Sequence, residues 1–213
     1  MNQAPVAVIL AAGASRRFGA SDKRLARLPS GRTLLAATLS RASAAFSRLR
    51  VVLREDDDPV ALGLPADTPI LRAPRAANGL GASLADAFVA LAADPALAEA
   101  PAAAVLLGDM PNIALATLEA LRDRAAPGRI VRPRHAGRPG HPVLFGRDVW
   151  AELAALGGDE GARRVVGRHR ARCHELEIDD PGIHLDIDVA DDLAALSRAG
   201  GDETDRMRKH QER

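Results

Sequence analysis

The sequence predicts an α/β protein with three layers, in which helices cover both faces of a mostly parallel, Rossmann-like mixed sheet. Short apolar runs alternate with longer segments of helical spacing along most of the chain. Such alternation is typical of βαβ units with right-handed crossovers. The apolar runs are continuous, as expected for strands that are buried on both faces.

The alternation is clearest in the first 135 residues and looser after them. We expect strands at 6–10, 50–53, 69–72, 102–107, 128–131, 142–145 and 173–178. We expect helices at 34–49, 82–93, 113–125, 148–156, 160–169 and 190–198.

Length and composition predict one domain. A chain of 213 residues suits a single α/β domain with a sizeable core. Hydrophobic residues make up 47% of the chain and aromatic residues 2%, so the core must consist of Ala, Leu and Val. We place the domain at 1–198 and expect the charged stretch 199–213 to be a flexible tail.

Charge and cysteine content restrict the partners and the compartment. A formal net charge of +1 indicates neither nucleic acid nor an anionic membrane as partner. The single cysteine, Cys173, excludes an internal disulfide and fits a reducing compartment. No apolar run reaches membrane-spanning length, and the first residues lack the features of a signal peptide. We therefore expect a cytoplasmic protein.

A glycine-containing basic loop follows the first strand directly. In open α/β sheets, ligands bind beyond the carboxyl ends of the strands. Small residues here allow backbone N–H groups to approach phosphates, and Arg17 and Lys23 can neutralise a triphosphate. The spacing matches neither GxxxxGK[ST] nor GxGxxG. The alternative is a solvated basic loop. The candidate nucleotide contacts in this loop are Ala11, Ala12, Gly13 and Ser15.

Acidic residues at two places are candidate metal ligands. Asp109 follows the strand at 102–107, where a carboxylate can hold Mg²⁺ together with phosphates and water. Asp186 and Asp188 are two residues apart and share one face of an extended segment, so one of them could be a second ligand. The alternatives are a turn or helix cap for Asp109 and the start of a helix for the later aspartates.

Two further loops carry candidate ligand contacts. The segment that contains Asn78, Gly79, Gly81 and Ser83 leads into a helix, and its glycines fit close backbone approach to a base or ribose. A plain turn explains the same residues equally well. The segment 132–143 combines Arg, His, Pro and Gly, which suits an anionic acceptor, with Arg138 and His141 as candidate contacts.

These segments resemble a known family. Residues 10–23, Leu-Ala-Ala-Gly-x-Ser-x-Arg-Phe-Gly-x-x-x-Lys, resemble the signature loop of the nucleotidyltransferase superfamily. Among its members, the chain most resembles the molybdenum cofactor cytidylyltransferases. The remaining matches follow in order at 78–84, 107–111, 137–143, 158–163 and 186–193, and the resemblance spans residues 5–197.

The resemblance implies a fold of the nucleotide-diphospho-sugar transferase type and a Mg²⁺-dependent reaction. CTP and a molybdopterin-type cofactor would be the substrates, and a molybdoenzyme or its chaperone would receive the product. Arg17, Lys23 and Asp109 would be catalytic, with Asp109, Asp186 and Asp188 at the metal. Related guanylyltransferases have Ala-Gly-Gly where this chain has Ala11-Ala12-Gly13, which favours CTP over GTP.

Departures from the family pattern leave alternatives open. They are Phe18 in place of Met, Val189-Ala190 in place of Thr-Pro, and a longer loop at 28–31. A guanylyltransferase, another NTP-dependent enzyme with a different phosphorylated acceptor, and a cofactor chaperone without turnover are the competing hypotheses. An NAD-dependent oxidoreductase is disfavoured by the absence of GxGxxG.

Overall fold

The computed structural model describes residues 4–13 and 22–185, which form an eight-stranded mixed sheet covered by helices. The strands are β1 (Val6–Leu10), β2 (Arg48–Leu53), β3 (Ile70–Arg72), β4 (Ala102–Leu107), β5 (Ile130–His135), β6 (Arg138–Pro139), β7 (Val143–Gly146) and β8 (Cys173–Glu177). Their order is β3-β2-β1-β4-β7-β5-β6, and β8 pairs with β5.

Most strands run in the same direction. Strand β1 is parallel to β2 and β4, β2 is parallel to β3, and β5 is parallel to β8. Strand β7 is antiparallel to both β4 and β5, so β4 and β5 point the same way. The carboxyl ends of six strands therefore meet at one edge of the sheet.

Helices cover both faces of this sheet. They are α1 (Leu34–Ala45), α2 (Leu80–Ala93), α3 (Leu115–Arg122), α4 (Trp150–Ala154) and α5 (Arg163–Arg168). Alternate residues of β1 face two separate apolar clusters: Ala7 and Ile9 pack with α1 and α3, whereas Val8 packs with α2 and α4. Each buried aliphatic side chain contributes roughly 1.5–3 kcal/mol. None of the helices formed by the described residues has the length and apolar character to cross a membrane.

The predicted fold class is confirmed, with differences at the ends of elements. The helix expected at 34–49 ends at Ala45, and β2 begins at Arg48. The helical spacing of apolar residues extends to Leu49, which is why the helix was predicted to end there. In the structure, Leu49 pairs with Ala7 in the sheet. The hairpin that forms β6 was not predicted. The helix expected at 190–198 and the tail at 199–213 lie outside the described residues, and the domain division stays a prediction.

Candidate active site

Two loops are joined side by side at the carboxyl edge of the sheet. Leu10 pairs with Leu107, so residues 11–13 and 108–109 emerge from neighbouring parallel strands. The Gly108 N–H donates to the Leu10 carbonyl oxygen at 2.9 Å. A Cβ at Gly108 would lie 3.1 Å from both Ala11 Cβ and Leu10 O, so the glycine permits this close approach. The arrangement brings the basic loop next to Asp109.

Lys23 and Asp109 form an ion pair at this junction. The Lys23 Nζ lies 2.7 Å from Asp109 Oδ2, and the two side chains are 10% and 24% exposed. Lys23 begins a short 3₁₀ turn, Lys23–Leu25, for which Asp22 provides the N-cap by accepting from the Arg24 N–H. The other oxygen of Asp109, Oδ1, is buried and has no hydrogen-bond partner among the described residues.

Two arginine side chains donate hydrogen bonds to the carbonyl oxygens of the loop after β1. Arg24 Nη1 donates to Ala11 O at 2.8 Å. Arg54, which follows β2, donates from Nε to Ala12 O at 3.1 Å and from Nη2 to Gly13 O. Because three successive carbonyl groups are bound in this way, the orientation of their peptide planes is fixed.

Carboxylates in turn fix these arginines. Arg24 contacts Asp22 and Asp57, with Nη2 at 2.7 Å from Asp57 Oδ1. Asp57 Oδ2 also accepts from the backbone N–H of Arg54 at 2.9 Å. Burial acts to raise the pKa of Asp57, but hydrogen bonds from Arg24 and Arg54 outweigh it and hold that pKa below 3.8. The group therefore stays ionised at neutral pH.

The loop before α2 packs against a second glycine-rich loop of the same chain. The N–H groups of Gly81 and Ala82 donate to Gly158 O at 2.8 and 3.3 Å. A Cβ at Gly79 would lie 2.0 Å from Asp159 Oδ1. The glycines of this loop therefore permit close packing within the chain, and its contact with a base or ribose stays a prediction. Ser83 is buried and donates to Gly79 O, whereas Asn78 is exposed.

The candidate acceptor residues lie at the same edge. Val143 pairs with Val105 near the end of β4, which places His141 beside the loop that carries Asp109. The His141 N–H donates to Ile183 O at 3.0 Å. Arg138 is exposed beyond the two-residue turn between β5 and β6, in which Ala136 and Gly137 both have positive φ.

A buried aspartate fixes the segment that leads toward the closing acidic motif. Asp180 accepts from Ala114 N at 2.9 Å, Thr117 Oγ1 at 2.7 Å and Gly182 N at 2.8 Å. A Cβ at Gly182 would lie 2.4 Å from Asn112 O, so this segment contacts the loop after β4 closely. Asp180 was not predicted from the sequence, although an acidic residue before Pro-Gly is a turn signal.

The structure brings together only part of the predicted site. The residues at the carboxyl edge are Lys23, Asp109, Arg138, His141 and the backbone of 11–13, as described above. Ser15, Arg17, Asp186 and Asp188 lie outside the described residues. Sequence analysis missed Arg24, Arg54 and Asp57. The signal that could have found Arg54 and Asp57 is their position directly after β2, at the ligand-binding edge.

No three or more His, Cys, Asp or Glu side chains within 4–13 and 22–185 are grouped to hold a metal ion. One oxygen of Asp109 is bound by Lys23, and the other has no described partner. Such a carboxylate suits a cation that needs few protein ligands. Mg²⁺ takes one or two carboxylates and completes its shell with phosphate oxygens and water. The chemistry of Asp109 is thus compatible with a divalent cation that is held mainly by phosphate oxygens and water.

Comparison with known proteins gives a family and several relatives. The family model for the MobA-like NTP transferase domain matches residues 7–173. The bifunctional protein GlmU of Granulibacter bethesdensis is 33% identical over 143 residues, which are 67% of this chain and 30% of that protein. The chain therefore spans less than a third of the length of this curated relative.

Solved structures match over nearly the whole chain. The crystal structure of Rv0371c from Mycobacterium tuberculosis H37Rv has a TM-score of 0.78 and 33% identity, covering 93% of this chain and 99% of that one. A complex of Rv0371c with manganese has a TM-score of 0.75 and 31% identity, covering 93% and 100%. Molybdopterin-guanine dinucleotide biosynthesis protein A from Archaeoglobus fulgidus has a TM-score of 0.67, covering 92% and 99%, and its 18% identity shows the fold alone.

Proposed function

The chain belongs to the family of MobA-like NTP transferase domains and is a nucleotidyltransferase; from that premise we propose that it transfers CMP from CTP to a molybdopterin-type cofactor. The reaction requires Mg²⁺ and releases pyrophosphate. The ion pair of Lys23 Nζ and Asp109 Oδ2, 2.7 Å apart, is the observation that carries this proposal. It joins a phosphate-binding cation to a metal-binding carboxylate at the ligand edge of the sheet.

The reaction is an in-line displacement at the α-phosphorus of the nucleotide. A terminal phosphate oxygen of the acceptor forms the new bond to that phosphorus. The bond from phosphorus to the oxygen that bridges to the β-phosphate breaks, and pyrophosphate leaves with its electrons. Because the attacking oxygen is already anionic, no strong general base is needed. Catalysis rests on positioning and charge neutralisation.

The residues of the basic loop bind the triphosphate in this proposal. Lys23 supplies a point charge to the β- and γ-phosphates and to the charge that grows on the leaving group. Arg17 grips the same phosphates, and Ser15 contributes a hydroxyl. The carbonyl groups of Ala11 and Ala12 are bound by arginines, which keeps the N–H groups of the next residues, Ala12 and Gly13, in one orientation toward the nucleotide. The Ala11 N–H itself donates to Val52 O at 2.9 Å.

Asp109 would hold the divalent cation through its buried oxygen Oδ1, which has no described partner. Mg²⁺ would supply charge neutralisation at the phosphate oxygens and at the departing pyrophosphate. We assign Asp186 and Asp188 as the further candidate carboxylates. Supporting this, the chain leading to them passes beside His141, whose N–H donates to Ile183 O. Rv0371c, a relative, has been solved with manganese.

The acceptor binds on the side of β7. Arg138 is exposed, and His141 lies beside the loop of Asp109, so both can contact an anionic group that approaches the α-phosphorus. Asn78 is exposed before α2 and is the candidate contact to base or ribose. Its neighbours Gly79 and Gly81 pack against 157–159, and Ser83 Oγ donates to Gly79 O within the loop.

The proposal of CTP depends on Ala12, which stands where related guanylyltransferases have glycine. GTP is the competing nucleotide, because the Archaeoglobus relative is a molybdopterin-guanine dinucleotide biosynthesis protein by its name. The difference concerns a single methyl group beside the base, which makes a direct nucleotide comparison necessary.

Thermal shift with ATP, CTP, GTP and UTP, each with Mg²⁺, tests the nucleotide. At 100 times Kd a ligand stabilises the folded protein by about 2.7 kcal/mol. We expect CTP to raise Tm most, and CTP with molybdopterin to yield pyrophosphate and a cytidylylated cofactor by mass spectrometry. A larger shift with GTP would replace CTP by GTP. Binding of the cofactor without pyrophosphate release under any nucleotide would instead indicate a chaperone.

A further inference from the structure

A buried charge network lies beneath the nucleotide loop, and its central residue is Asp57. The Asp57 side chain is only 9% exposed, although Asp57 lies within the acidic run 55–58 that follows β2. It contacts Arg24 through both oxygens and accepts from the Arg54 N–H. Its own carbonyl oxygen accepts from Arg72 Nη1 at 2.8 Å. Contacts of both the backbone and the side chain of Asp57 thus fix the loop after β2.

The network connects directly to the atoms that form the nucleotide site. Asp57 binds the guanidinium of Arg24 and the backbone N–H of Arg54. The side chains of these two arginines hold the carbonyl oxygens of three successive residues, Ala11–Gly13. Arg24 is also the residue after Lys23, and Asp22, which precedes Lys23, binds the same guanidinium. The Lys23 side chain therefore extends toward Asp109 from a turn that is fixed on both sides.

The contact between Arg24 and Asp57 differs from a solvent-exposed ion pair. Arg24 is buried, and its guanidinium is bound by two carboxylates, Asp22 and Asp57. Loss of the Asp57 charge leaves Asp22 as its one carboxylate partner in this network, and we expect the guanidinium to shift and release Ala11 O. Such a shift would turn the peptide planes that face the triphosphate. Displacement by about 1 Å at a reacting site costs on the order of 100-fold in rate.

We propose that Asp57 is a positioning residue of the nucleotide site, acting through Arg24 and Arg54 on the backbone of Ala11–Gly13 and on the turn that carries Lys23. The inference rests on the proposed function, because it assigns the nucleotide to that backbone. It deepens that function by extending the site to a carboxylate that touches neither substrate nor metal.

Asp57→Asn tests the inference in the full-length protein, with Asp56→Asn as the matched control. Asp56 is the neighbouring exposed aspartate, and its substitution makes the same change of charge. We expect Asp57→Asn to raise KM for CTP and lower kcat/KM about 10- to 100-fold, whereas Asp56→Asn stays near wild type. Loss of folded protein alone would reduce kcat per total enzyme and leave KM unchanged, and that outcome would overturn the inference.

Arg54→Gln is a second variant that avoids the buried position. Arg54 is partly exposed, so its removal threatens folding less, yet it releases Ala12 O and Gly13 O. Arg41→Gln, at an exposed position of α1, is its control. A rise in the KM for CTP in Arg54→Gln but not in Arg41→Gln supports the positioning role. Equal KM values in the two variants contradict it.

Amide hydrogen exchange without nucleotide separates this inference from the proposed function. We expect Asp57→Asn to accelerate exchange in peptides covering 11–13 and 22–25 while the centres of β1 and β4 keep their protection. Unchanged exchange in those peptides overturns the inference even if CTP is the substrate. Accelerated exchange in a protein that binds none of the four nucleotides supports the network and rejects the proposed function.

Discussion

Lys23 and Asp109, which are 86 positions apart in the sequence, meet at 2.7 Å between Nζ and Oδ2. The pairing of β1 with β4 brings them together, because both residues follow strands whose last residues, Leu10 and Leu107, are partners. The proposed binding of a triphosphate with a divalent cation depends on this cation and this carboxylate.

Removal of the Lys23 charge should affect the reaction of the nucleotide more than protein folding. We expect Lys23→Ala to lower kcat/KM for CTP about 100-fold or more, since one point charge to the leaving group is lost. Lys23→Arg should retain part of the activity because it keeps the charge. Steady-state pyrophosphate release measures both. Arg27→Ala, an exposed change in the same segment, is the control; a Lys23→Ala enzyme that matches it would exclude the triphosphate role.

Gly79 should be intolerant of a side chain. Its φ is +109°, and an added Cβ would lie 2.0 Å from Asp159 Oδ1 and 2.8 Å from Gly158 O. We expect Gly79→Ala to lower the free energy of unfolding by roughly 1–3 kcal/mol, measured by urea denaturation. Gly157→Ala is the matched control, since a Cβ there meets no atom within 4 Å. Equal stability of the two variants would show that the contact between these loops does not constrain Gly79.

Asp180 should be important for stability because it satisfies three donors in a buried position. We expect Asp180→Ala to cost about 2–4 kcal/mol of unfolding free energy, since it leaves the donors at Ala114, Thr117 and Gly182 without their acceptor. The control is Asp179→Ala, whose side chain is fully exposed. A loss below about 0.5 kcal/mol, the usual range for surface positions, would contradict a stabilising role.

Acid should remove the contribution of Asp57 to stability. Burial acts to raise its pKa, but the hydrogen bonds from Arg24 and Arg54 prevail, so the pKa in the folded protein lies below the ordinary value of 3.8. The folded state then binds fewer protons than the unfolded state, and the stabilisation is present above that value and lost as pH falls through the folded pKa. We expect the stability difference between wild type and Asp57→Asn to be constant from pH 7 to 5 and to shrink below about pH 4. Urea denaturation at several pH values measures it, and a difference that grows toward low pH would contradict the sign.

Sequence patterns predicted the centre of the sheet because β1 and β4 are short, continuous apolar runs. Val6–Leu10 is recognisable without any neighbour, since all five side chains are apolar and, in the structure, buried. The pattern failed at Leu49, where helical spacing and strand pairing both accommodate an apolar residue and only the partner Ala7 decides between them.

Sequence analysis identified candidate residues that stand in recognisable motifs and missed residues whose partners are distant in the sequence. Lys23 and Asp109 stand in recognisable loops, each after a buried strand. The partners of Asp57 and Asp180 lie 33 and 63 to 66 positions away, apart from local contacts. A charged residue in an acidic stretch resembles a solvated surface until the fold shows which arginine it binds.

Pyrophosphate release by Asp109→Asn, with CTP, a molybdopterin-type acceptor and Mg²⁺, tests the central claim most directly. The substitution preserves the shape of the side chain and removes the charge that holds the cation, while Asp67→Asn at an exposed position is the control. The account predicts a loss of about 100-fold or more in kcat for the folded Asp109→Asn protein. Near-normal turnover by Asp109→Asn would contradict it and remove Asp109 from the metal site.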